Sequence, residues 1–203
     1  MLLAINPDYP EPRKIAKAVA ALEAGEIIAY PTDTVYGLGC DLQNKAAVEK
    51  LYQLKRMPKN QPLALICVDL SDIARYVIVD NTSYRLLKRL LPGPYTFILP
   101  ATREVPKTIS PKRTQVGIRV PDHAVPRAIA AALGRPLIST TAAEHGSDPL
   151  QWPEDIAAAF PHAQLVIDGG PGGVVPTTVI DLTSQPPIVV REGAGSVDSL
   201  LDE

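Results

Sequence analysis

Short apolar runs cut off by proline constrain this chain more than any other feature. Ile27-Ile28-Ala29-Tyr30 runs into Pro31, and Gln115 to Val120 runs into Pro121. Pro62 opens the stretch Leu63 to Val68, and Leu91 gives way to Pro92-Gly93-Pro94. Proline has no N–H for a strand ladder and blocks the continuation of a helix, so each run is held to a short element. The 21 prolines and 13 glycines are spread along the 203 residues as punctuation, not gathered into a linker. Helical patterns lie between the runs. Arg13 to Ala24 places Ile15, Val19 and Leu22 on one face, with Gly25 as its stop. Lys45 to Arg56, Val125 to Leu133 and Pro153 to Phe160 read the same way. Ser71 or Asp72 caps a short helix to Tyr76, and Asn81 or Thr82 caps another through Leu91. Tyr95 to Leu99, Pro136 to Ser139, Gln164 to Ile167, Thr177 to Leu182 and Ile188 to Arg191 complete the strands. This alternation predicts an α/β fold, one domain over residues 1–203 around a twisted mixed sheet with flanking helices. Its core runs from about 6 to 195, with an acidic tail at 196–203 and a flexible glycine loop at 169–173.

The net charge of −2 hides an asymmetry. Residues 41–135 hold 16 Lys/Arg against 7 Asp/Glu, and the remainder holds 4 against 15. A basic middle segment points to an anionic ligand met by one region, although solvated helix faces give the same count. No run of about 18 apolar residues is present, so no membrane span is expected. The start, Met1 to Pro7, does not read as a signal peptide. Cys40 and Cys67 supply neither a disulfide framework nor a zinc cage, and are expected as two free core thiols of a cytoplasmic protein. His123, His145 and His162 show no ligand spacing, so they are expected at the surface or as caps, and no protein-held metal is expected.

Five polar clusters sit at the ends of strand patterns, where α/β sheets place ligands. Pro31-Thr32-Asp33-Thr34-Val35-Tyr36-Gly37-Leu38-Gly39 puts two hydroxyls, a carboxylate and a phenol after a buried strand. The same residues also suit an Asx-type turn. Lys55-Arg56-Met57-Pro58-Lys59-Asn60-Gln61-Pro62 carries three cations within five residues on a proline-stiffened loop. In Gly117-Ile118-Arg119-Val120-Pro121 the arginine lies inside an apolar strand pattern. Burying an unpaired guanidinium is costly, so Arg119 needs a carboxylate partner or a ligand. Ile138-Ser139-Thr140-Thr141 closes a strand with hydroxyls, and Thr177-Thr178 and Arg191 lie at the ends of the last two strands. No glycine-rich phosphate loop, nucleophile elbow or Ser/His/Asp set is present. The chemistry expected is electrostatic clamping without a covalent nucleophile.

Taken together, these clusters resemble the YrdC/YciO family, the threonylcarbamoyl-AMP synthase fold. The likeness runs in order from about Asn6 to Gly195. Residues 31–39 carry it most specifically, supported by Pro92-Gly93-Pro94-Tyr95-Thr96, Gly117 to Pro121 and Thr178-Val179-Ile180-Asp181. It implies a YrdC-like domain with a basic concave face, and a nucleotidyltransferase joining L-threonine, bicarbonate and ATP into threonylcarbamoyl-AMP and pyrophosphate for tRNA modification. By position, Thr34, Arg119, Ser139 and Thr177 would hold the threonine or carbamate part. Lys55 and Arg191 would meet phosphates or nucleotide, and Gln61 and Thr141 fall where the family places asparagines on the nucleotide. Lys55, Arg119 and Ser139 would be the catalytic set, and Mg2+ would arrive with ATP.

Two departures look like the YciO branch. The family's Lys-x-Arg reads Lys55-Arg56-Met57 here, and its Ser-x-Asn reads Ser139-Thr140-Thr141. Neighbours on a helix point about 100° apart, which argues against Arg56 standing in for the missing cation. Restoring Met57→Arg with Thr141→Asn is expected to raise ATP affinity or turnover. The competing reading is an RNA-binding or RNA-maturation protein without synthesis. It would hold double-stranded RNA or tRNA by shape through Lys55, Arg56, Lys59, Arg85, Lys88, Arg89, Lys112 and Arg113. Aromatics are 5% of residues, too few for extensive base stacking.

Overall fold

The computed structural model describes residues 1–58, 61–109, 114–144 and 146–198. Lys59, Asn60, Lys112, Arg113, His145 and the tail from 199 lie outside the described residues. The elements run β1 (Leu2–Ala4), α1 (Pro12–Glu23), β2 (Ile28–Tyr30), β3 (Gly37–Asp41), α2 (Lys45–Leu54), β4 (Ala64–Ile66), α3 (Leu70–Tyr76) and α4 (Asn81–Leu90). They continue β5 (Tyr95–Pro100), β6 (Gln115–Arg119), α5 (Ala124–Leu133), β7 (Leu137–Thr141), α6 (Pro153–Ala159), β8 (Leu165–Asp168), β9 (Thr178–Asp181) and β10 (Ile188–Arg191). The strands form one mixed sheet in the order β1-β8-β2-β3-β7-β4-β6-β5-β9-β10. Among the described residues no helix is long and apolar enough to cross a membrane.

Two cores follow from the two faces of this sheet. On one, α1 and α5 pack Ile15, Leu22, Ile129 and Leu133 against Ile28, Tyr30, Ile66 and Leu137. On the other, α2, α3, α4 and α6 pack Val48, Leu51, Ile73, Leu87 and Ile156 against Leu38, Cys40, Leu65, Phe97, Ile118 and Ile180. Successive strand residues point to opposite faces. Gly39, Ser139, Ala64, Gly117 and Ile98 pair in one row across five strands, so they share the face that α1 and α5 cover. The helices do not cover all of it: Ala64, Thr96, Ile98 and Gly117 stay half-buried. Glycine, serine and alanine add little height there, and the result is an open floor.

The sheet must curl. Ten residue steps separate Asp168, which ends β8, from Thr178, which starts β9, and at about 3.5 Å each they reach at most about 35 Å. Seven strand spacings lie between β8 and β9, and flat they would need about 34 Å. The connecting run is not extended. Tyr36 donates its phenol proton to the Gly170 carbonyl at 2.7 Å. Gly172 N–H donates to the Gln151 carbonyl at 2.8 Å and Gly173 N–H to the Thr34 carbonyl at 2.7 Å. The glycine loop expected to be flexible is thus tied down at three places. Its glycines serve close approach: a Cβ on Gly173 would lie 2.2 Å from the Thr34 carbonyl oxygen.

Other expectations need correction. Asp69, not Ser71 or Asp72, caps α3, accepting from Ser71 and Asp72 N–H at 2.8 and 3.0 Å. Asp80, not Asn81 or Thr82, caps α4 through the Ser83 N–H at 2.7 Å. In both helices the capping carboxylate stands one to three positions ahead of the predicted cap. Gly37 to Gly39, which end the polar cluster at 31–39, open a fully buried strand that runs to Asp41. The tail start is held where the Tyr95 phenol donates to the Ser196 carbonyl at 3.0 Å. Cys40 and Cys67 are free and buried, and His123 caps α5 through Nδ1.

Candidate functional site

Arg119 ends β6 and reaches over the floor to the turn that follows β2. One guanidinium nitrogen donates to Asp33 Oδ1 at 2.5 Å, to Thr34 Oγ1 at 2.8 Å and to Thr32 Oγ1 at 3.2 Å. The Arg119 and Asp33 side chains are only 8% and 12% exposed. Here is the carboxylate partner that an arginine in an apolar strand demanded. Burial lowers the Arg119 pKa, and the Asp33 charge opposes that shift. Two buried atoms of the pair, Asp33 Oδ2 and Arg119 Nε, keep unused hydrogen-bonding capacity. Thr32 fixes the turn from within by donating to the Val35 carbonyl at 2.6 Å.

Lys55 caps the C-terminus of α2, and its ammonium meets the end of β7. It donates to the Thr141 carbonyl at 2.6 Å and to Thr140 Oγ1 at 3.3 Å. Burial pulls its pKa down to about 8. The residues after it form a Schellman turn: Arg56 N–H bonds the Gln53 carbonyl at 3.0 Å and Met57 N–H bonds the Tyr52 carbonyl at 3.1 Å. Arg56 takes the left-handed position, with φ of 50°, and its side chain is exposed. Met57 is buried in the same core as Tyr52, the apolar contact such turns make. Arg56 therefore points away from the position that Met57 fills.

Ser139 occupies the floor row, and the Tyr30 phenol donates to its Oγ at 2.6 Å. Both groups are buried. Thr177, just before β9, shares a hydrogen bond of 3.0 Å with Thr96. Arg191 of β10 donates to the Thr177 carbonyl at 2.9 and 3.2 Å and to its hydroxyl at 3.2 Å. Partial burial lowers the Arg191 pKa. Gln61 is exposed three residues ahead of the floor residue Ala64, and its carbonyl accepts from the Tyr52 phenol at 2.9 Å.

The structure therefore joins Thr34 to Arg119, Thr141 to Lys55 and Thr177 to Arg191, with Ser139 on the floor. Asp33, Tyr30 and Thr96 also belong to this constellation. Asp33 stands in the first polar cluster and Arg119 calls for a carboxylate or a ligand, but nothing in the sequence pairs the two across 86 residues. Nothing local in the sequence marks Tyr30 or Thr96. Arg85, Lys88 and Arg89 are on α4, whose apolar side packs on the opposite sheet face, so they lie away from the floor. Among the described residues no three His, Cys, Asp or Glu side chains gather as a metal set.

Residues 20–193 match the family model Sua5/YciO/YrdC, described as telomere recombination. The chain belongs to the Sua5/YciO/YrdC family. It is 42% identical to Escherichia coli YciO over 200 residues, 97% of each chain. The E. coli YciO crystal structure superposes with a TM-score of 0.94 over 98% of both chains. Family members named threonylcarbamoyl-AMP synthase also match, one from Chromohalobacter salexigens at 36% identity over 84% of this chain and 94% of that one. P. abyssi Sua5 complexed with L-threonine has a TM-score of 0.89 and 29% identity, over 95% of this chain and 57% of that chain.

Proposed function

We propose that this protein binds L-threonine, bicarbonate and Mg-ATP on the open floor and forms threonylcarbamoyl-AMP. The observation that carries the reading is the buried Arg119 clamp on Asp33 and Thr34, set beside a floor of small residues, with Lys55 held at the end of β7 and Arg191 at the start of β9. A carbamate and a triphosphate are both anionic, and a site without cations would repel them. In this reading the threonine amine and bicarbonate condense to a carbamate with loss of water. A carbamate oxygen then attacks the α-phosphorus of ATP and pyrophosphate leaves. Such a step needs alignment and charge neutralisation more than a proton-transfer group. Arg119, Thr34, Ser139 and Thr177 hold the threonyl carbamate. Lys55, Arg191, Gln61 and Thr141 meet the nucleotide, and magnesium comes with the phosphates. The threonylcarbamoyl-AMP synthase relatives and the threonine complex of Sua5 support the substrate class. The test is incubation with threonine, bicarbonate and Mg-ATP. Threonylcarbamoyl-AMP and pyrophosphate are expected together, whereas neither product beside an active family synthase would refute the reading.

Lys55 gives this reading a pH signature. Its ammonium is charged below about pH 8 and loses its proton as the pH rises through that value. Anion binding favours the charged form, so Mg-ATP affinity is expected to fall above pH 8, approaching about tenfold per pH unit. Calorimetric titration from pH 6.5 to 9.5 measures this. Lys55→Arg should flatten the profile, because its guanidinium does not titrate there.

A further inference from the structure

Tyr30 is used by neither the clamp nor the proposed chemistry, yet its phenol makes one short bond to a site residue. Its ring lies under Gly37 and Gly39, where a Cβ would come within 3.0 and 2.8 Å of ring carbons. The side chain is fully buried, and its hydroxyl lies 2.6 Å from Ser139 Oγ. Burial pushes the Tyr30 pKa well up, so the phenol keeps its proton. A buried O–H that can reach an acceptor donates to it, because an unmet donor costs the full desolvation of the group.

We infer that Tyr30 is a positioning residue that occupies the acceptor side of Ser139 and turns the serine proton outward, making Ser139 a fixed donor to a ligand oxygen. A serine hydroxyl left to itself donates or accepts by rotating. With its oxygen committed to Tyr30, the remaining proton is directed at whatever rests on the floor. A carboxylate, carbamate or phosphoryl oxygen fits the outward proton. The same bond anchors Ser139 in the row between Gly39 and Ala64. This inference rests on the reading of the floor as the site for L-threonine and Mg-ATP.

The test is a double-mutant cycle with Tyr30→Phe, Ser139→Ala and the double variant. L-threonine and Mg-ATP affinities are read by calorimetry, folding by thermal melting, and turnover as KM and kcat. Tyr30→Phe keeps the ring and is expected to weaken the affinity of the ligand that Ser139 contacts by about fivefold, the scale of one hydrogen bond. Ser139→Ala is expected to weaken the same affinity by about tenfold or more, and adding Tyr30→Phe to it should cost nothing further. A lower melting temperature with unchanged affinity in Tyr30→Phe makes Tyr30 a packing residue only and overturns the inference. Losses that multiply in the double variant also overturn it, because Tyr30 would then act independently of Ser139. A wild-type protein that binds neither L-threonine nor Mg-ATP overturns the reading of the site itself, and the inference falls with it.

Discussion

Arg119→Met is expected to destabilise the protein by about 3–5 kcal/mol, the cost of leaving one member of a buried ion pair without its partner. The variant removes the donor that Asp33, Thr34 and Thr32 share. Asp33, with its side chain 12% exposed, is then left as a buried charge with no cation. Denaturant unfolding measures the loss. Stability and binding separate in the double variant Arg119→Met with Asp33→Leu. Replacing both charges by apolar side chains removes the unpaired charge and should recover much of the stability. It should not recover binding of L-threonine or Mg-ATP, because the cation is gone. A single Arg119→Met variant as stable as the wild type would show that the clamp contributes nothing to the fold.

Met57→Arg is expected to cost about 2–4 kcal/mol, from desolvating a guanidinium and losing the apolar side chain. By residue pattern alone, this change restores the family's second cation and should help ATP bind. The structure gives it a different first consequence. Met57 is 7% exposed and packs with Tyr52 as the apolar clasp of the Schellman turn. An arginine there must either be buried or open the turn that positions Lys55. A denaturant melt of the variant, alone and with Thr141→Asn, tests this. Unchanged stability would mean that the loop from Arg56 onward yields freely.

The fold was legible wherever one residue type carries one meaning. Gly25 and Gly134 both stop helices in the left-handed conformation that they permit, at φ of 79° and 71°. Proline-bounded runs marked β2, β4 and β6 to within a few residues. Legibility failed where an ordinary residue does a specialist's work. Arg56 holds the glycine position of a Schellman turn, and no propensity marks an arginine for that place. Gly37 and Gly39 read as a place for close approach or positive φ in a polar cluster, and the close approach is what occurs, since they admit the Tyr30 ring, but the strand they open is not legible. In the site, the cations and hydroxyls were visible because strand ends are where polar residues stand out. That Arg119 needs a carboxylate or a ligand follows from charge balance, but that the partner is Asp33 is shown only by the fold. Tyr30 looks like any apolar strand residue until the glycines of β3 let its ring cross to Ser139.

The run from Asp168 to Thr178 acts as a gauge on the width of the trough. It joins distant strands through a short tether, and its pins at Tyr36, Gln151 and Thr34 take up slack that the chain would otherwise have. Two residues added between Val174 and Pro176 would lengthen the tether by about 7 Å. The curled sheet could then relax outward, carrying Arg191 and Thr177 away from Arg119. In the proposed site, the placing of Thr177 and Arg191 relative to Arg119 thus depends in part on how this connecting run is pinned.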